Sequence, residues 1–156
     1  MRSIIFFSVF LLCQSCAVMT IPPKEVKKGL IQYDIVCSNS MYGAGQEGII
    51  DTVLFIQTFD ELEKVAALIT KVNDNNCMET LKSFDFETFD LFCIVDVQKG
   101  SGGHSIKIEE IVFKEDTYTI HWSSSSPEGD ATSVMTQPYI FGSVDKTSSS
   151  VKFLKD

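Results

Sequence analysis

The sequence predicts an α+β domain: a mainly antiparallel sheet of about six or seven strands with one packed amphipathic helix. Three observations carry that expectation. Apolar and polar residues alternate at period 2 over Ile106–Ile108 and Tyr118–Ile120, the mark of half-buried strands. Leu62, Val65, Ala66, Ile69 and Val72 recur instead at helical spacing and form one apolar stripe. With 156 residues, 44% apolar and 22% charged, the chain is long enough for one domain with a real core and too short for two.

The first residues stand apart from this domain. Arg2 supplies a positive start, and Ile4 to Leu12 is an apolar run too short for a membrane-spanning helix, which needs about 20 such residues. The run ends in Cys13-Gln14-Ser15-Cys16, which resembles a bacterial lipobox, with Cys13 standing where leucine is usual. Residues 1–16 are thus expected to be a lipoprotein signal with Cys16 as the lipidated residue. The alternative is an ordinary secretory signal cut near Ala17. Residues 17–28 read as a tether: Pro22-Pro23 favours extended geometry, and Lys24, Lys27 and Lys28 keep it solvated. Residues 29–156 form the single domain.

In chain order, Leu30 to Cys37 reads as a first strand with Ile31, Tyr33 and Ile35 on one face. Ser38 to Gly48 reads as a loop. Within it, Gly43-Ala44-Gly45-Gln46-Glu47-Gly48 has the spacing of a phosphate loop, but a strand follows where a helix N-terminus is needed. Ile49 to Ile56, nearly all apolar, is expected to be a strand buried on both faces. Thr58 and Glu61 have capping-box spacing and open the helix, which Asn73-Asp74-Asn75-Asn76 ends. Leu91 to Val97 is a further strand. The acids before and after it, Asp85, Glu87, Asp90 and Asp96, raise a metal question. A calcium loop needs ligands around a sharp turn, so the expected arrangement is aromatics in the core and acids facing water. A glycine turn, Ser101-Gly102-Gly103-His104-Ser105, then opens a charged hairpin that turns at Lys114-Glu115-Asp116. Thr136-Gln137-Pro138-Tyr139-Ile140 and Val151-Lys152-Phe153 close the chain.

Charge and chemistry narrow the function classes. A net charge of −8 disfavours nucleic acid and anionic lipid surfaces as electrostatic partners. Of the five cysteines, Cys93 reads as a small core residue. Cys37 and Cys77 are the pair that a disulfide would join in an exported chain. No zinc spacing, cofactor motif or nucleophile elbow is present, and His121 and His104 are the only histidines. No catalytic residue is therefore assigned.

The C-terminal part, Phe86 through Phe153, resembles the protease complex subunit PrcB family. The residues that carry this are Asp85-Phe86 before an apolar strand, Gly100-Ser101-Gly102-Gly103-His104-Ser105-Ile106, the charged hairpin, Thr136-Gln137-Pro138-Tyr139 and Val151-Lys152-Phe153. The family usually has tyrosine at the position of His104 and serine at that of Gln137. The resemblance implies a non-enzymatic accessory module of the bacterial cell envelope. It would be held by a lipid anchor and bind an envelope or secreted protein such as a protease. Its expected binding rim is Gly102, Gly103 and His104 on one turn, with Gln137, Pro138 and Tyr139 on a second. The competing reading makes the glycines a hairpin entrance and Tyr139 a core plug. A glycine pair followed by a ring is also similar to the loops of chagasin-type inhibitors. The alternative function is thus a protease inhibitor acting through the same turns.

Overall fold

A computed structural model of the chain describes residues 29–72 and 77–156. The signal segment, Cys16, the tether and Asn73–Asn76 lie outside the described residues. The elements run β1 (Gly29–Leu30), β2 (Asp34–Met41), β3 (Thr52–Ile56), α1 (Phe59–Ile69), α2 (Cys77–Leu81), β4 (Phe89–Val95), β5 (Ser105–Lys114), β6 (Thr117–Ser125), β7 (Gln137–Asp145) and β8 (Ser150–Lys155). The strands form two four-stranded sheets, ordered β1-β5-β6-β8 and β2-β7-β4-β3. All pairings among these strands are antiparallel except β6 with β8, which run parallel. The α+β character stands, but one sheet of six or seven strands becomes two sheets with eight, and a second short helix joins the first.

This difference has a cause in the sequence of β4 and β7. Phe92 and Ile94 of β4, with Ile140 and Val144 of β7, meet Ile106, Ile108, Ile111, Phe113, Tyr118, Ile120 and Trp122 of the other sheet. The alternate residues Leu91, Cys93, Val95, Tyr139 and Phe141 face the other way, onto Leu62, Val65 and Ile69 of α1 and Cys77, Met78 and Leu81 of α2. Both faces of these strands are therefore covered, which is why they read as continuous apolar runs rather than alternating ones. The result is three layers: helices, a central sheet and an outer sheet. Gly142 sits under the Phe92 ring, where a Cβ would collide with it; only glycine lets the inter-sheet core close there.

Several local expectations change with this architecture. The stretch expected as one first strand divides at Ile31–Tyr33, so that β1 pairs with β5 and β2 with β7. Ile31 and Tyr33 remain against the inter-sheet core, whereas Ile35 is exposed. The segment expected to be buried on both faces is instead the edge strand β3, which among the described residues pairs only with β4. Apolar composition alone does not distinguish an edge strand from a central one. α1 ends at Ile69 with Thr70 as its C-cap, and Val72 is exposed rather than part of the buried stripe.

The helix start follows the sequence. Thr58 Oγ1 accepts from Glu61 N at 3.3 Å, and Glu61 Oε2 accepts from Thr58 N at 3.2 Å and from Gln57 N at 2.9 Å. The Gln57 N–H, more than any other group, holds the Glu61 carboxyl below its usual range. Cys37 on β2 and Cys77 at the start of α2 form a disulfide with Cα atoms 5.6 Å apart. Cys93 is a buried free thiol that burial pushes well above its ordinary pKa.

Candidate functional site at the loop-bearing end

Strand register brings three long loops and the chain terminus to one end of the molecule. Val95 pairs with both Thr52 and Tyr139, and Met41 pairs with Gln137. The loops 42–51, 96–104 and 126–136 thus leave the sheets together, beside the end of β8. Two buried polar side chains, neither assigned this role by the sequence, brace them.

The first is Asp96, fully buried at the exit of β4. Its Oδ1 accepts from Lys155 Nζ at 2.7 Å, and its Oδ2 lies 2.8 Å from Lys99 Nζ and accepts from Ser124 Oγ at 2.5 Å. Burial by itself would raise this carboxyl. The hydrogen bonds from Lys155, Lys99, Ser124 and the Val97 N–H outweigh that, and its pKa falls far below the ordinary carboxylate range. Lys155 also lies 4.5 Å from the centroid of the Trp122 ring, a cation–π position. One carboxylate thereby ties the 96–104 loop to β6 and β8 across the sandwich. At the opposite end Asp90 joins the β3–α1 and β7–β8 connections, accepting from Thr147 N at 2.8 Å and Gln57 Nε2 at 3.2 Å, with Lys146 Nζ 3.2 Å away. The expectation that both acids face water is therefore corrected; Asp85 and Glu87 are exposed. An acid closing an apolar run, with lysine three residues on, was the available signal for Asp96.

The second brace is Gln137. Its Nε2 donates to Ile49 O at 2.9 Å and to Asp96 O at 3.0 Å, joining the 42–51 and 96–104 loops. Gln137 is buried, as are Pro138 and Tyr139. Tyr139 is 0% exposed and packs edge-on to Phe141, with ring centroids 6.0 Å apart. These three residues therefore cannot form an exposed rim. β7 is a central strand, and its first residues enter the core instead of turning outward.

The glycine turn reaches the surface at Gly103, whereas Gly102 is buried and drops out of the expected rim. Gly102 N donates to Thr132 O at 3.0 Å, Thr136 Oγ1 donates to Ser101 O at 2.7 Å, and Lys99 and Thr136 exchange backbone hydrogen bonds at 2.7 and 3.1 Å. The turn is thus fastened to the 126–136 loop. Gly103 has φ +80° and lies against Pro127, so a side chain there would be both strained and crowded. His104 is half-buried, with Nε2 2.9 Å from Ser101 Oγ. This contact spans a single turn and shapes it. Val97, Val134 and Met135 are exposed on the same two loops, and Val134 lies beside Gly102. These are the apolar residues of the rim that sequence reading missed, because exposure of single valines and methionines has no local signature.

The third loop folds on itself. Glu47 is buried and its Oε1 accepts from Gly43 N at 2.7 Å. A carboxylate thus occupies a backbone amide in the fragment whose glycine spacing matches a phosphate loop, which excludes an anion from that position. Among the described residues no group of three His, Cys, Asp or Glu side chains is placed to hold a metal ion.

Fold and site together define a helix-covered β-sandwich domain with a braced, loop-bearing end. No family model, no curated protein and no solved structure matches this chain.

Proposed function

We propose that this chain is a non-enzymatic binding module, tethered to the bacterial cell envelope through Cys16, that serves as an accessory subunit for another envelope or secreted protein. The resemblance of residues 86–153 to the protease complex subunit PrcB family suggests that the partner is a protease. The observation that carries this reading is the loop-bearing end itself. Asp96 and Gln137 brace its loops from beneath, while Val97, Val134 and Met135 are exposed around the Gly103–His104 turn. Recognition commonly sits on loops held by a rigid scaffold, and exposed apolar groups rimmed by polar ones are what a partner surface covers.

The test uses the full chain as bait in detergent-solubilised envelope from the native host. Met135→Glu and Val134→Asp should each abolish capture of the wild-type partner while leaving the melting temperature within a few degrees of wild type. Capture that survives both substitutions removes this rim as the binding surface. Adding the chain to the captured protease separates the two functions: an accessory subunit leaves turnover running, whereas an inhibitor acting through the glycine turn stops it.

A further inference from the structure

We propose that β3 is a self-pairing edge: two copies join β3 to β3 antiparallel about a two-fold axis and lay α1 beside α1 on one face of the continuous sheet. A sheet edge offers unsatisfied backbone donors and acceptors, and proteins blunt such edges with charge, proline, bulges or brevity. The other three edges here are blunted. β1 is two residues long, β2 carries a register shift between Ile35 and Cys37, and β8 bears Lys152 and Lys155. β3 reads Thr-Val-Leu-Phe-Ile, pairs in unbroken register with β4 and has none of these devices. Its composition is that of a strand with high pairing propensity.

The surroundings of this edge are apolar. A groove of about 530 Å³ runs between β3 and α1, lined by Ile49, Ile50, Leu54, Lys64, Val65 and Leu68 among others. Ile50 is 58% exposed and Leu68 37%, and both line the groove, so the groove and apolar side chains suited to fill a copy of it stand at the same edge. Val53, 41% exposed, adds an apolar side chain on the other face of the strand. A second copy satisfies both at once, since a two-fold axis sets each chain's projecting residues against the other's groove. The charges on α1 favour this occupant as well. Asp60 lies in the acidic first turn, and Lys71 follows the C-cap. Antiparallel apposition brings Asp60 of each copy toward Lys71 of the other, whereas parallel apposition would oppose like charges.

The groove shares Ile49 and Ile50 with the 42–51 loop, but the positions varied in the test, Val53 and Leu68, lie on β3 and α1, outside the loops assigned to the accessory role. Sedimentation of the full-length chain in a density-matched non-ionic detergent tests it, at concentrations up to about 100 µM. The wild type should sediment as a dimer. Val53→Lys on the strand and Leu68→Glu on the helix should each weaken association at least about tenfold. Both positions are exposed, so both variants should melt as the wild type does; if one misfolds, the other decides. A wild-type chain that stays monomeric throughout overturns the proposal, even if β3 takes up a foreign peptide. Folded variants that dimerise as well as the wild type overturn it too.

Discussion

Asp96 and Tyr139 show how much one residue can hold in place. Asp96 is a buried charge with two lysines and a hydroxyl on it, so removing it leaves both cations without their counter-ion. Lys155 and Lys99 keep solvent access, at 41% and 18% exposure, so the loss falls short of that for a fully buried pair, and Asp96→Ala should cost about 1–3 kcal/mol in denaturant titration. Its pH dependence has a definite sign. The folded-state pKa is depressed, so the contribution is fully present above the unfolded value, near 3.9. It is lost as pH falls toward the folded value. The stability gap between wild type and Asp96→Asn should therefore be flat over about pH 5–7 and shrink below about pH 4; a gap that widens on acidification would contradict the assignment. Tyr139 is a core residue, and Tyr139→Ala should cost about 3–5 kcal/mol. Binding by this variant should fall only in proportion to the unfolded fraction. A Tyr139→Ala protein of normal stability would return the ring to the surface.

Among the elements, α1 and β3 make the clearest contrast. The helix was legible because its start is chemical and local: the Thr58–Glu61 box forms as the spacing requires. Its buried face is Leu62, Val65 and Ile69. Leu62→Ala and Ile69→Ala should each cost about 2–5 kcal/mol, measurable as a fall in the denaturation midpoint. A double variant with wild-type stability would show that the helix does not cover the sheet. β3 was misread, since a run of apolar residues fits a central strand and an edge strand equally. Only its pairing with β4 alone decides which it is.

For the molecule as a whole, Asp96 ties the central sheet to the outer one at one end, Asp90 joins two connections at the other, and the Cys37–Cys77 disulfide fastens the helix side. That link spans 40 residues, and in the chain-entropy view closing such a loop stabilises the fold by about 4 kcal/mol. The proposed anchor belongs to this scale, because a lipid on Cys16 would set where the whole domain resides. Cys16→Ser should release the chain from the membrane fraction or block its processing. If wild type and variant both appear as the same soluble, cleaved species, the chain is not a lipoprotein.

The sequence by itself determined the mixed helix-and-strand class, the capped helix and the charged hairpin of β5 and β6. Each depends on spacing or turn chemistry within a few residues. Only tertiary structure decided that the strands divide into two sheets, that Asp90 and Asp96 are buried, and that Gln137, Pro138 and Tyr139 point inward. Those outcomes depend on which surfaces meet. An aspartate beside an apolar run is solvated or buried according to whether cations from distant segments reach it. Lys155 lies 59 residues from Asp96, beyond any local pattern. The exposed rim of Val97, Val134 and Met135 was hidden for the same reason: a side chain's exposure is a property of its neighbours in space.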